Sequence, residues 1–426
     1  MYKVFKFGGA SVKDAGSVRN VAQIIRDHKG DDQLLCVVSA MAKTTNALEL
    51  LVQQARASKG KELPALDTLR NFHLDIVQEL GLDAGISAEL EETFTEIRVV
   101  CSTESENEYN YFYDQIVSQG EILSTKIVAR YLQHIGVPAI YKDAGGLIRT
   151  DATYREGKVN WPVTQHLIET QVKVLLEGEA HRNNVIITQG FTAKTSEGAR
   201  VTLGREGSDY SAAIFAYCLD AEEVTIWKDV PGILNADPKL FPDAQLFNRL
   251  SYTDAIELAY YGATVIHPKT IKPLQNKNIV LRVRSFLNPS APGTVVENEE
   301  IFGLLPSFII KKNQALISIS PRDFSFIMEE NLGQLFTLLA THRIKVNLMQ
   351  HSAISFSICI DNDPMRVPGV LEQLKENYVT EFRDNLELIT IRNYNEALVE
   401  RFMRGRTLFA EQKNDHTVRL VLSSGN

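Results

Sequence analysis

From Thr202 to Ser211 the chain reads Thr-Leu-Gly-Arg-Glu-Gly-Ser-Asp-Tyr-Ser, with an arginine, hydroxyls and a carboxylate set among glycines just before an apolar helical stretch. That grouping could hold two anions. The glycines let backbone N–H groups approach a phosphate, the helix presents its positive end, and Arg205 can grip a carboxylate through two parallel hydrogen bonds. A polar loop capped by Ser208 or Asp209 would give the same letters in isolation. A second segment narrows the choice. Val4 to Val12 reads as a short buried strand running into Gly8 and Gly9, with Lys6 as the charge inside it. Alone, Lys6 could guard a sheet edge. Beside a glycine pair at a strand end it reads as a cation that contacts phosphate. Neither segment follows the P-loop pattern or the Gly-x-Gly-x-x-Gly dinucleotide pattern, so those classes lose support.

These residues need a frame, and the apolar pattern supplies one. Leu34–Val38, Ala139–Tyr141, Val185–Thr188 and Val224–Trp227 are continuous apolar runs separated by long amphipathic segments. This is α/β order, expected for a largely parallel sheet covered by helices on both faces. Ligands in such sheets sit at strand carboxyl ends. Lys6 with Gly8, Ser39, Gln189 with Gly190, and Lys228 with Asp229 all fall at or just past such ends, so one crevice could collect them. Residues 55–115 turn helical and charged, which predicts a helical insertion or two surface helices. Turn formers from Asn288 to Thr294, and Pro306, suggest a boundary. Beyond it the predicted order is β-α-β-β-α-β, a ferredoxin-like topology: Ala315–Ile319, a helix to His342, Val346–Met349, Ile354–Ile360, a helix through Val370 and Leu374, and Leu386–Ile391. After Arg392 a helical stretch, Glu396–Phe402, and a strand, Val418–Leu422, remain. They read either as a reduced second domain completed by a partner chain or as a terminal hairpin on their own domain.

At 426 residues, 44% hydrophobic and 23% charged, the chain predicts a soluble globular protein of two or three domains. A net charge of −8 argues against nucleic-acid or anionic-membrane partners, which demand a basic face. The amino terminus enters a strand at once, and no apolar run nears the roughly 20 residues that span a bilayer, so a cytoplasmic location is expected. Cys36, Cys101, Cys218 and Cys359 are far apart and read as buried thiols, not as a disulfide or metal framework. His267, before Pro268, reads as a helix-start or packing residue.

The blocks Lys6–Val12, Val38–Asn46, Ser118–Ser124, Thr188–Phe191 and Leu203–Asp209, followed by Ile226–Gly232 and Tyr261–Pro268, resemble the aspartate kinase family in content and order. The resemblance implies an amino-acid-kinase three-layer sandwich over 1–300 with a helical insertion at about 55–115. It also implies an ACT regulatory region over 306–426, with one full ACT domain at about 313–393 and a reduced second one at 394–426. The family moves the γ-phosphate of ATP, with Mg²⁺, onto the side-chain carboxylate of L-aspartate, the first step towards lysine, threonine and methionine. On that footing Lys6, Gly8 and Gly9 contact the triphosphate and Asp209 orders the cations. Glu121 takes the substrate ammonium and Arg205 its α-carboxylate, while Ser39, Thr45, Ser208 and the Phe191 loop complete the pocket. Lys228, Asp229, Leu234, Lys239 and Thr264 fall at nucleotide-contacting positions. The implied assembly is a homodimer through the ACT region, with an amino-acid effector.

Bland readings stand beside these. Glu121 suits a helix start for dipole reasons, and Ser39 and Thr45 could be caps. Several residues also depart from the family pattern: Ala10 stands for threonine, Glu206 for glycine, Lys228 for threonine or serine, Leu234 for tyrosine and Thr264 for lysine. Lys228 could supply the cation that position 264 lacks; otherwise the ATP site is weakened. In the ACT region Asn347 and Ala353 replace two acids that help bind lysine, which predicts weak or absent lysine inhibition, with threonine or no effector instead. The alternatives are a kinase for glutamate or N-acetylglutamate and a catalytically silent amino-acid-binding regulatory subunit. Without a reductase-sized extension, the form fused to homoserine dehydrogenase is not expected.

Overall fold

The computed structural model describes residues 1–425 apart from 179–180, 182, 263–265, 300, 302, 304 and 324. The chain divides into two compact units. The first comprises Met1–Ile233, Leu246–Ala259 and Thr264–Ile301, and the second Leu234–Gln245, Tyr260–Ala263 and Phe302–Asn426.

In the first unit, β1 (Tyr2–Phe7), β2 (Gln33–Val38), β3 (Ala139–Lys142), β4 (Val185–Gln189), β7 (Glu223–Lys228), β8 (Arg249–Ser251), β9 (Val280–Ser285) and β10 (Thr294–Glu297) form one sheet in the order β3-β4-β2-β1-β7-β9-β10-β8. The run from β3 to β9 is parallel, while β10 pairs antiparallel with β9 and carries β8 beside it. A small hairpin, β5 (Thr192–Lys194) and β6 (Arg200–Thr202), stands apart. The four apolar runs are β2, β3, β4 and β7, of which β3 forms one edge of the sheet, and the strand read from Val4 is the central β1. The Asn288–Thr294 turn joins β9 to β10 inside this sheet.

Period-two packing makes the layers. Phe5, Phe7, Leu34, Cys36 and Val38 join one core cluster with α1 (Ala15–Lys29) and α6 (Gln119–His134). The intervening α2 (Thr44–Ser58), α3 (Pro64–Glu79), α4 (Ala84–Glu104) and α5 (Tyr109–Val117) build the helical insertion onto the same cluster. On the other side, α9 (Gly207–Leu219) runs against β1, β2 and β7, with α7 (Trp161–Ile168) and α11 (Pro268–Asn276) packed on α9. A π turn continues α7 into the short α8 (Val174–Leu176), and α10 spans Tyr252–Tyr261. His267 caps α11, its ring nitrogen accepting the Lys269 N–H at 3.1 Å.

In the second unit β11 (Ser307–Pro321), α12 (Glu329–Thr341), β12 (Val346–His351), β13 (Phe356–Asp361), α13 (Val367–Asn377) and β14 (Tyr378–Arg392) follow the β-α-β-β-α-β order. Ile317, Ile319, Phe356, Ile358 and Ile360 pack with Leu335 and Leu339 of α12 and with Val370 and Leu374 of α13. The tail stays on its own sheet: β16 (Thr417–Ser423) pairs with β14, and β15 (Leu408–Lys413) pairs with β16, giving β12-β13-β11-β14-β16-β15. The helix α14 (Glu396–Met403) buries Val399 against Ile389, Ile391 and Leu420. All four cysteines are buried and free. No described helix is long and apolar enough to cross a membrane.

Candidate active site

Because β4, β2, β1 and β7 are parallel neighbours, their carboxyl ends lie side by side. Lys6 is therefore on a central strand, which removes the edge-guard reading. Gly9 starts a 3₁₀ turn directly after β1, where a Cβ would come within 2.7 Å of the Ala40 carbonyl, so only glycine lets these two loops meet. Gly190 does the same after β4: a Cβ there would lie 2.5 Å from Ser208. The start of α9 is thereby drawn under the strand ends.

The buried centre is an ion cluster. Lys6 Nζ lies 2.7 Å from Asp209 Oδ1 and Lys228 Nζ lies 3.3 Å from Asp209 Oδ2. Burial pushes the Asp209 carboxyl up, but the two ammonium groups outweigh burial and hold it below the usual carboxylate range. Both ammonium groups meet this carboxylate at the positive end of a 13-residue helix. The cluster is built to receive an anion.

Beside it opens a cavity of about 480 Å³ lined by Gly9, Ser39, Thr45, Glu121, Phe191, Arg205 and Ser208. Glu121, in the first turn of α6, is 4% exposed. Ser208 Oγ donates to Glu121 Oε1 at 2.5 Å, whereas Oε2 is buried without a hydrogen-bond partner. Burial raises this carboxyl to about 7, although Ser208, Lys6 and the N–H groups of Gly190 and Ala40 pull the other way. An unpartnered buried carboxylate oxygen is a ready seat for an ammonium group. The capping alternatives fail. The cap of α9 is Glu206, with no side-chain bond, and Ser208 turns to Glu121 instead. Lys43 precedes α2, and neither Ser39 nor Thr45 caps it.

Phe191 and Glu206 both hold positive φ, 59° and 54°. Phe191 is tied down by its N–H, which donates to Ser211 Oγ at 2.9 Å. Arg205 is exposed at the cavity, on the loop before α9. Gln189 serves the scaffold, its amide bonding Ala144 N–H and the Tyr141 hydroxyl. Asp229 lines a separate hollow with Ala10, Lys13, Asn20 and Phe286. Leu234 and Lys239 belong to the second unit, and Thr264 lies outside the described residues. The cavity also gathers Glu49, Tyr113, Arg155 and Thr202, which the motifs did not reveal. Asp114 braces two of them: it accepts the N–H groups of Arg155 and Thr202, and burial lifts its carboxyl to about 6.

The fold is a largely parallel α/β sheet with a site suited to anions at its strand ends, and comparison with known proteins gives the class. Residues 1–285 match the amino acid kinase family. The chain is 32% identical to aspartokinase 1 of Arabidopsis thaliana, covering 92% of this chain and 68% of that protein. It is 30% identical to lysine-sensitive aspartokinase 3 of Escherichia coli K12, covering 91% and 86%. The crystal structure of E. coli aspartokinase III with aspartate and ADP superposes with a TM-score of 0.82 at 27% identity, over 99% of this chain and 96% of that one. A second structure of that enzyme, with lysine and aspartate, also superposes at 0.82. The chain belongs to the amino acid kinase family and, within it, to the aspartokinases. It is a phosphotransferase with a carboxyl group as acceptor.

Proposed function

We propose that this site transfers the γ-phosphate of ATP to the side-chain carboxylate of L-aspartate, giving 4-phospho-L-aspartate. The observation that carries the reading is the juxtaposition of the Lys6–Asp209–Lys228 cluster with a cavity holding Glu121 and Arg205. Glu121 Oε2 takes the α-ammonium, Arg205 takes the α-carboxylate, and Ser39, Thr45, Ser208 and Phe191 shape the pocket. The side-chain carboxylate then points towards Lys6. It is ionised at neutral pH, so it needs no general base. What remains is alignment and charge neutralisation, the main demands of phosphoryl transfer. Lys6, Lys228 and the N–H groups of Gly8 and Gly9 neutralise the transferring oxygens, and Asp209 keeps the two ammonium groups apart and aimed.

Mg²⁺ fits here as a companion of the triphosphate. Asp209, the acid nearest the phosphate seat, is already engaged by two lysines, and the described residues contain no cluster of three metal-ligating side chains. Asp229, Leu234, Lys239 and Thr264 are assigned to the nucleoside side on the family resemblance. For the second unit we propose an ACT role, with a homodimer formed through it. Large apolar side chains exposed there, Phe326, Met328, Phe336, Met349 and Ile354, support a covering partner copy. A cytoplasmic address goes with this reading. The test is ADP release from MgATP on addition of L-aspartate: dependence on aspartate, abolished by Lys6→Ala, is expected, and aspartate-independent release would count against the assignment.

A further inference from the structure

Arg155 also lines the cavity, at a backbone φ of 69°. In that region a Cβ crowds the following carbonyl, and glycine is the unstrained choice. The chain nevertheless places a long cation there and fixes it. Its N–H donates to Asp114 Oδ2 at 2.8 Å, and its guanidinium lies over the Tyr113 ring at 4.2 Å and 5.8 Å from the Tyr109 ring. Tyr113 is fixed in turn, its hydroxyl donating to Glu49 at 2.6 Å. A strained residue held by several contacts at a cavity wall points to a task there. The loop bearing Arg155 abuts the loop bearing Arg205, for a Cβ on Gly204 would stand 3.2 Å from the Arg155 carbonyl. Two arginines thus line one cavity from adjoining loops, an arrangement that favours an anion beside them.

We propose that Arg155 and Arg205 together clamp the α-carboxylate of the amino-acid substrate, with Tyr113 holding Arg155 in place. The proposal rests on the aspartate kinase reading. In that reading the side-chain carboxylate is committed to the Lys6 end, so the α-carboxylate is the anion left for the arginines. Its two oxygens offer about four lone-pair sites, enough for two guanidinium forks. Arg155 becomes a specificity-determining residue: it distinguishes an amino acid with a free α-carboxylate from one whose α-carboxylate is masked.

The experiment measures phosphorylation of L-aspartate and of L-aspartic acid α-amide by the full chain, by Arg155→Gly and by Arg155→Lys. Glycine suits the backbone at this position, so the variant folds, and a thermal melt verifies it. We expect KM for aspartate to rise about tenfold in Arg155→Gly, by the loss of one charge-assisted bond, with kcat falling by less. The preference for aspartate over the α-amide shrinks by a similar factor, and Arg155→Lys falls between. An unchanged KM, or an equal loss on both substrates, would overturn the clamp, because a merely structural loop role predicts the latter. No aspartate turnover by the unsubstituted chain would overturn the kinase reading and the clamp with it.

Discussion

At the scale of single residues, two lysines share one carboxylate, and the proposed reading gives each a separate task. Lys6 is 8% exposed and comes from the strand; Lys228 replaces a hydroxyl residue of the family at the end of β7. If Lys228 neutralises the nucleotide phosphates, Lys228→Ala should raise KM for ATP at least tenfold, and wild-type ATP affinity in that variant would refute the role. Glu121 makes a pH prediction. Its raised carboxyl, at about 7 against an ordinary value near 4.3, is protonated in the empty enzyme below neutrality. A neutral Glu121 cannot pair with an ammonium, so KM for aspartate should climb as pH falls below about 7, measured by initial rates from pH 5.5 to 8. In the folding balance the sign is opposite: the raised value contributes stability present below about 4.3 and lost as pH rises through about 7. Glu121→Gln should flatten that dependence in urea titrations. The residue types of this pocket were legible in the sequence because the motifs carry them. Glu49, Tyr113 and Arg155 were not, since they come from two helices and a loop, at positions outside the motif blocks. Asp114 ties Arg155 to Thr202 of β6, and its bond to Arg155 crosses more than 40 residues, which no local pattern encodes.

At the scale of elements, the site depends on how α9 begins. Its N-cap is Glu206 in the left-handed region, with Oε2 buried and without a hydrogen-bond partner. Relief of that conformation is worth about 1–2 kcal/mol, and glycine's extra freedom in the unfolded chain gives back up to about 1 kcal/mol. Glu206→Gly should therefore stabilise the protein by roughly 1 kcal/mol in chemical denaturation, and a destabilised variant would mean that the glutamate has a structural partner role. The central strands were legible because parallel strands buried on both faces are continuous apolar runs. The edge strand β15, Leu408–Lys413, was missed because half of its residues are exposed and polar. What the apolar runs do not encode is strand order, and order alone moves Lys6 from an edge to the centre of the sheet.

At the scale of the whole molecule, the second unit bears on regulation. Asn347 is 5% exposed, and its amide is saturated from within: Oδ1 accepts from Lys311 at 2.9 Å, and Nδ2 donates to Gln314 and Asp361. A side chain so engaged offers no charge to a cationic effector. Ala353 adds none. Lysine should inhibit weakly or not at all, and a micromolar inhibition constant would overturn this. The tail, left open between a partner-completed domain and a hairpin, extends its own sheet through β16 because Val418, Leu420 and Leu422 alternate onto the face that α14 covers. The segment Leu234–Gln245 was read with the catalytic domain and clusters with the second unit, since Asn235 bonds the backbone of Pro306 and Phe308 and Phe241 packs on Phe308 and Phe402. Such long-range packing has no sequence signature.

The central claim is that the cavity beside the Lys6–Asp209–Lys228 cluster selects a free α-amino acid and presents its side-chain carboxylate to ATP. The most direct test is MgATP-dependent hydroxamate formation from L-aspartate, run against glutamate and N-acetylglutamate, with Arg205→Ala alongside. Product from aspartate alone, lost in the variant, is predicted; no product while aspartate or ATP still binds would contradict the claim and leave a silent amino-acid-binding subunit.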